Sequence, residues 1–368
     1  MATSAPTPLL ELGWDTGWAA AFLPFDAAGW SPARVVVAHR DAWRIATASG
    51  DRDSVVSGRL RHEAAGPGDL PAVGDWVAIA GTDADTTVIQ AVLPRRAAFT
   101  RNTGGDTATL LGEQVMAANV DVAFVVAGLD GDFNLRRLER YLAVAWAGGS
   151  TPVLLLNKAD VADDVDGLRV AAEAVAPGVE VRTLSALTGD GVDALLAAHL
   201  PPGRTAVVLG SSGVGKSTLV NALVGEERLA TGAVREDDSR GRHTTTHREL
   251  VRLPGGGLLI DTPGIRSLGV AGASAGLDDV FADIAELAAA CRFGDCRHES
   301  EPGCNVKAAL ADGRLAPDRL ASQRKLEREA AHVARANDPL LRAEDRRKWR
   351  AIHVSVNAHM RRKYGSDQ

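Results

Sequence analysis

TAVVLGSSGVGKSTLVNALVG, residues 205–225, decides the reading of this chain. The apolar run TAVVL leads into GSSGVGKS at 210–217, which fits G-x-x-x-x-G-K-[ST] without a gap, and the helix-like STLVNALVG follows. Strand, glycine-rich loop and helix form the context in which this pattern holds phosphate. The glycines let successive N–H groups and the helix N-terminus converge on an anion. Gly210, Ser211, Ser212, Gly213, Val214 and Gly215 make the loop, and Lys216 is placed to reach the β- and γ-phosphates. The Ser217 hydroxyl suits Mg²⁺, a hard ion that prefers oxygen donors. The loop by itself does not separate ATP from GTP.

The base is read elsewhere. Asn157-Lys158-Ala159-Asp160 closes the apolar PVLLL at 152–156, giving N-K-x-D at the end of a strand, where open α/β sheets bind ligands. A carboxylate at Asp160 accepts from the N1–H and exocyclic amine of guanine. Adenine lacks that donor pair, so the purines are separated by polar mismatch. Ser185 and Ala186 are expected to hold the O6 edge through backbone N–H groups. Downstream, Asp261-Thr262-Pro263-Gly264 ends GLLI and gives D-x-x-G. Here Asp261 is expected to orient the Mg²⁺ shell and the Gly264 N–H to sense the γ-phosphate. Between these motifs and the loop stands RGRHTTTH at 240–247. One of Thr244, Thr245 and Thr246, with Thr245 the central choice, is expected to close on Mg²⁺. In Ras-like proteins the phosphate loop comes first and the guanine-reading motifs last. Here the order is reversed, and the chain reads as a circular permutation of the same sheet.

The flanks differ in texture. From about 35 to 96, ARVVVAHR, WRIATAS, SVVSGRLR, DWVAIAG and TTVIQAVLP recur at roughly ten-residue spacing, which predicts a small antiparallel barrel or sandwich. Five of the seven tryptophans (14, 18, 30, 43 and 76) lie in the first 76 residues. They suit either base stacking or a core, and core is the commoner use. From 121 onward VDVAFVVAGL, PVLLLNK, VEVRTLSA, TAVVLGSSG and GLLIDTPG alternate with helix-like LRRLERYLAVAWA and VDALLAAHL. Continuous apolar strands between helices predict a parallel sheet buried on both faces. From about Leu277 the chain reads as helical.

All three cysteines fall between 291 and 304, and with His298 they form C-x4-C-x-H-x5-C. An odd count excludes a fully paired disulfide framework. Three thiolates and an imidazole at Cys291, Cys296, His298 and Cys304 make a closed tetrahedral set for one structural Zn²⁺.

At 368 residues, two or three domains are expected, and 45% apolar with 24% charged residues is ordinary for a soluble protein. No secretory signal and no spanning segment is read, so a reducing, cytoplasmic setting without a membrane partner is expected. The net charge of −6 argues against a nucleic-acid partner only as an average. Residues 319–363 hold 13 Lys/Arg against five Asp/Glu, including RRKWR and MRRK, a distribution that suits phosphate contacts.

Taken together, a β-rich N-terminal part, permuted NKAD, SA, GSSGVGKS, RHTTT and DTPG motifs, and the Cys/His cluster resemble the ribosome small-subunit-dependent GTPases, the RsgA/YjeQ family. The resemblance covers about residues 30–363. It implies a multidomain chain with an OB-fold barrel, an α/β circularly permuted P-loop GTPase domain and a C-terminal α-helical zinc domain. It implies binding of the 30S subunit, with its 16S rRNA and ribosomal proteins, late in maturation, and GTP hydrolysis to GDP and phosphate stimulated by that subunit. Carried over by position, Asn157, Lys158 and Asp160 select guanine, and residues 210 to Thr218 hold the phosphates and Mg²⁺. Lys216 and Gly264 act on the transferring phosphoryl group, and His243 occupies a position implied to arrange the attacking water. The expected division is a mobile N-terminal tail at 1–30, OB-fold 31–112, GTPase 113–274 and zinc unit with basic tail 275–368, acting as a monomer. The first thirty residues match no motif and are not basic, unlike many N-terminal ends in the family. Directly after D-x-x-G stands Ile265 where Ras-like enzymes carry a water-orienting glutamine, so slow intrinsic turnover is expected. The competing readings are an ATP-using phosphotransferase, which NKAD opposes, and a nucleic-acid-binding protein holding a nucleotide only structurally.

Overall fold

The computed structural model describes residues 7–39, 41–81, 87–102, 113–226, 248–261 and 274–337. Five strands near the N-terminus, β1 (Ser31–Ala38), β2 (Trp43–Thr47), β3 (Gly50–Val56), β4 (Trp76–Ala80) and β5 (Thr87–Val92), pair in the order β1-β2-β3-β5-β4. A β1–β4 ladder closes the ring. Only β3–β5 is parallel. This is the five-stranded barrel of an OB-fold. Its strands alternate as a pleat demands: Ala33 and Val35 point into the barrel with Ile45, Val77 and Ile89, while Val36 joins the main core outside.

The expectation of a tail over residues 1–30 is corrected from Thr7 onward. Helices α1 (Thr7–Glu11) and α2 (Thr16–Asp26) lie against the barrel's outer face. Trp14 stands edge-on to Trp76 at 4.7 Å, and Trp18 sits 6.2 Å from the same ring. Trp14, Trp18 and Phe22 are buried in the main core, each contributing about 1.5–3 kcal/mol. Asp15 caps α2 by accepting from the Trp18 N–H at 2.8 Å, and its carboxylate pairs with Arg96, whose guanidinium lies 4.0 Å over the Trp18 ring. Four of the five early tryptophans (14, 18, 43 and 76) are buried, so they serve as core rather than as stacking platforms. A second difference concerns SVVSGRLR. The strand stops at Val56 because the Ser57 hydroxyl accepts from the Leu60 N–H at 3.2 Å and starts α3 (Gly58–Glu63) instead.

A hairpin, β6 (Ala98–Asn102) and β7 (Glu113–Ala118), leads into the nucleotide-fold sheet. Its members are β8 (Val122–Gly128), α4 (Leu135–Ala147), β9 (Thr151–Asn157), α5 (Val165–Val175), β10 (Glu180–Thr183), α6 (Val192–His199), β11 (Thr205–Leu209), α7 (Lys216–Val224), β12 (Arg248–Arg252) and β13 (Leu258–Asp261). The order is β10-β9-β8-β11-β13-β12, parallel except for β12. β8 is buried on both faces: Ala123, Val125 and Ala127 meet Leu138 and Leu142 of α4, while Val122, Phe124 and Val126 meet Leu219 and Leu223 of α7. Strands β8–β10 precede β11 in the chain yet lie on one side of it. That is the permutation read from the motif order.

β12 also pairs with β1 (Val37↔Glu249, Ala38↔Arg248), so barrel and sheet form one eleven-stranded array. Arg34 of β1 fastens the joint from inside. Fully buried, it donates to Leu12 O, to Gly74 O at 3.2 Å, to Asn119 O at 3.3 Å and to Thr205 Oγ1 at 2.8 Å. Burial lowers its pKa to about 10, with Asp121 and Asp75 opposing the shift, so it remains charged at neutral pH.

The C-terminal part is helical: α8 (Ser274–Val280), α9 (Ala282–Ala289), α10 (Asn305–Ala311) and α11 (Pro317–Asn337). Phe281, Ile284, Val306 and Leu320 share the core that Leu138 and Leu142 enter from α4. Among the described residues no helix is long and apolar enough to cross a membrane.

Candidate functional site: a nucleotide edge and a metal centre

The phosphate loop, the NKAD segment, the SA segment and Asp261 all leave the carboxyl ends of neighbouring parallel strands, and so they share one edge of the sheet. Two glycines are fixed by geometry. Gly210 has φ 144° and a side chain there would lie 2.4 Å from Val126 O. Gly215 has φ 94° and a Cβ would lie 2.2 Å from Asn157 Nδ2. No other residue type tolerates both demands. Helix α7 begins at Lys216 with no side-chain cap, which leaves its first N–H groups facing the loop. Lys216 is buried and its Nζ donates to Ser211 O.

Asn157 ties the loops together. Buried at the end of β9, it donates from Nδ2 to Val214 O at 2.9 Å and accepts at Oδ1 from the Ala186 N–H at 2.9 Å. Ser185 and Ala186, expected to hold the O6 edge through backbone N–H groups, lie beside this tie: the Ser185 N–H donates to Asp190 O, and the Ala186 N–H to Asn157 Oδ1. Asp160, by contrast, is exposed in a 3-10 turn, with no partner for its carboxylate among the described residues. Lys158 sits in the left-handed region at φ 68°, and its ammonium pairs with Asp130. That hydrogen bond is the chief reason the Asp130 carboxyl lies below the usual carboxylate range.

The loop carrying Asp130 was not read from the sequence. Asp132 in the same turn grips Arg137 of α4 (Nη1 to Oδ2, 2.8 Å), and Arg137 Nη1 stands 3.4 Å from Ser211 Oγ. The signal was present: GLDGDFN ends an apolar strand on the same sheet edge, although isolated charges there pass for solvated ones. Gly264, Thr245 with its neighbours Thr244 and Thr246, and His243 lie outside the described residues, as does the basic segment beyond 337.

The four metal-ligand candidates do come together. The Cys291, Cys296 and Cys304 Sγ atoms and one His298 ring nitrogen all lie within 4.8 Å of one another. Cys291 Sγ is 3.9 Å from Cys304 Sγ, and His298 Nδ1 is 3.7 and 3.4 Å from these two sulfurs. Tetrahedral zinc with thiolate and imidazole ligands has S···S edges of about 3.8 Å and S···N edges of about 3.6 Å, so the set fits the ion. Neighbouring backbone supports it: the Asn305 N–H donates to Cys291 Sγ and the Lys307 N–H to Cys304 Sγ. Glu301 folds the intervening loop by accepting from its own N–H, Arg297 and Glu299, which hold its pKa down to about 2.

The chain is 48% identical over 363 residues to the small ribosomal subunit biogenesis GTPase RsgA of Opitutus terrae, covering 96% of this chain and 98% of that one. The chain belongs to the RsgA GTPase family. The profile described as RsgA GTPase matches residues 92–271. The RsgA protein of Streptomyces avermitilis is 43% identical over 366 residues, covering 99% and 96% of the two chains. Among solved structures, YjeQ from Thermotoga maritima superposes with TM-score 0.61 at 25% identity, covering 82% of this chain and 99% of that one. YloQ, described as a circularly permuted GTPase, gives TM-score 0.58 at 23% identity, over 84% and 96%. The permuted RsgA architecture is therefore common to this chain and to the solved relatives.

Proposed function

We propose that this chain binds GTP across the ends of β9, β10, β11 and β13, hydrolyses it to GDP and phosphate, and acts in biogenesis of the small ribosomal subunit. The observation that carries the nucleotide reading is the Asn157 tie, which brings N-K-x-D and the phosphate loop to one edge with Asp160 left open. Asp160 accepts from the guanine N1–H and amine. The amides of residues 213–218 and the Lys216 ammonium meet the phosphates, where hydrolysis is mostly positioning and charge stabilisation. Ser217 at the start of α7 and Asp261 at the end of the adjacent β13 supply oxygen donors only, a set that fits Mg²⁺. When bound, that ion offsets developing charge on the β- and γ-oxygens.

Ile265 offers no hydrogen bond to the attacking water. The isolated chain is therefore expected to turn over well below about 1 s⁻¹, with the 30S subunit supplying the missing order. Thr245 closing on Mg²⁺, Gly264 sensing the γ-phosphate and His243 near the water belong to the same proposal, as do one Zn²⁺ per chain, a monomeric state and a cytoplasmic setting. The basic segment at 319–363 suits contacts to 16S rRNA phosphates. The relatives' names, small ribosomal subunit biogenesis GTPase, support the partner.

The deciding experiment is phosphate release from GTP with and without 30S subunits, using Lys216→Ala as control. Slow release raised at least tenfold by subunits and lost in the variant supports the reading. Fast release without subunits, or release indifferent to Lys216, overturns it.

A further inference from the structure

Arg137 belongs to none of the recognised motifs, yet it touches the phosphate loop. Asp132 holds its guanidinium at two points, and Nη1 reaches to 3.4 Å from Ser211 Oγ. Ser211 is also the residue whose carbonyl receives the Lys216 ammonium. Two residues further along α4, Glu139 is fully buried and meets Arg319 of α11 at 2.9 Å, with Ser322 donating to its other oxygen. Arg319 in turn grips both oxygens of Asp283 in α9 (2.6 and 2.8 Å) and donates to Val280 O at 2.7 Å. Helix α9 runs directly toward Cys291.

We propose that Arg137 is a positioning residue for the phosphate loop, and that α4 makes it one end of a rigid link whose other end is the Glu139–Arg319–Asp283 cluster, which joins α4 to α9 and α11. The proposal rests on the nucleotide reading of residues 210–218. Arg137 and Glu139 are separated by about 3 Å along the helix axis and about 200° around it. Both contacts therefore arise from one helical turn, on opposite sides. That turn is fixed at its start by Asn134, whose side chain accepts from the Arg136 and Arg137 N–H groups at 3.0 and 3.1 Å, and on its apolar face by Leu138 and Leu142. A close-packed core moves between discrete arrangements rather than flexing continuously. A displacement of Ser211 when phosphate enters the loop thus tilts the first turn of α4, and the tilt changes how Glu139 meets Arg319. The link needs no contribution from the segment that follows Asp261.

The test is hydrogen exchange on the full chain at saturating GDP and at a saturating non-hydrolysable GTP analogue, read over residues 282–337. Steady-state hydrolysis with subunits is measured in parallel. The wild-type chain is expected to show a nucleotide-dependent difference in protection there. Arg137→Ala is expected to reduce that difference at least threefold and to lower kcat more than it raises KM, with Arg137→Lys restoring part of both. Asp132→Asn, which loosens the grip without removing the guanidinium, is expected to fall between them. An unchanged exchange difference in Arg137→Ala, or no difference in the wild-type chain, overturns the link. Failure of the wild-type chain to bind either nucleotide overturns the nucleotide reading itself, an outcome separate from the other two.

Discussion

The nucleotide edge and the Cys/His unit are each shaped to hold an ion or its ligand, and they keep their shape by opposite means. The edge is held by backbone and core. Gly210 and Gly215 occupy conformations closed to other residues, Asn157 bridges three loops, and the strands beneath are buried on both faces. The Cys/His unit has little of this. Cys291, Cys296 and His298 are only half-buried, and the segment from 291 to 304 contains no regular helix or strand. The difference predicts which site forms before its ligand arrives: the edge is expected to be preformed by backbone and core, and the Cys/His unit to depend on the metal proposed for it.

Metal removal should expose the contrast most strongly. Structural zinc sites in small peptides carry about 10–16 kcal/mol of apparent binding energy, which serves as folding energy. Stripping the chain with a chelator is expected to abolish exchange protection over residues 291–311, while nucleotide affinity changes less than threefold. Equal loss in both regions would erase the distinction. Next in size is the seam between the two parts. Arg319→Ala removes the cation that Glu139 and Asp283 share; Glu139 keeps Arg136 and Asp283 is partly exposed, so the cost falls below the ~3–5 kcal/mol of a fully stranded buried charge. A lowered melting temperature that also loosens α4 is the expected result. Arg319→Ala combined with Glu139→Leu should recover part of the loss.

Gly215→Ala probes the preformed edge alone. The added methyl meets Asn157 Nδ2 at 2.2 Å in a backbone conformation that costs about 1–3 kcal/mol for a side chain. Nucleotide titration should show at least a tenfold weaker Kd, with metal content unchanged. The smallest effect is expected in acid. Because Lys158 holds the Asp130 carboxyl below its ordinary value, the pair stabilises the fold fully above the unfolded carboxylate pKa near 4. The contribution fades as pH falls through the lower folded value. The pair is about one-third exposed, so it is worth under about 1 kcal/mol. Melts of the wild-type chain and Asp130→Asn should converge below about pH 4 and stay apart above it. Zinc loaded onto the Cys/His unit, whose candidate ligands would compete for it with protons, should be released at a higher pH than this.

Much of both sites was legible because their chemistry is local. A phosphate loop states its glycines and lysine in eight consecutive residues, and a Cys/His cluster states its ligands in fourteen. The order of the motifs gave away the permutation. What escaped was contact between distant segments. Nothing near Trp14 announces Trp76, which is why residues 7–30 read as a tail, and Asp132 and Arg137 carry no pattern until α4 sets them beside Ser211. The Ser185-Ala186 pair was found, but its backbone bonds depend on Asp190 and Asn157, which no tetrapeptide can display.

The two-residue ladder between β1 and β12 has a consequence for how the chain can be divided. β12 is the outermost strand of the nucleotide-fold sheet, and the barrel's first strand covers its free side. An uncovered edge offers unpaired N–H and C=O groups to any passing strand. Cut away from its barrel, the sheet would be left with an adhesive margin. The N-terminal barrel therefore serves as an edge cap as well as a domain: where β1 meets β12, it takes up backbone groups that would otherwise face solvent.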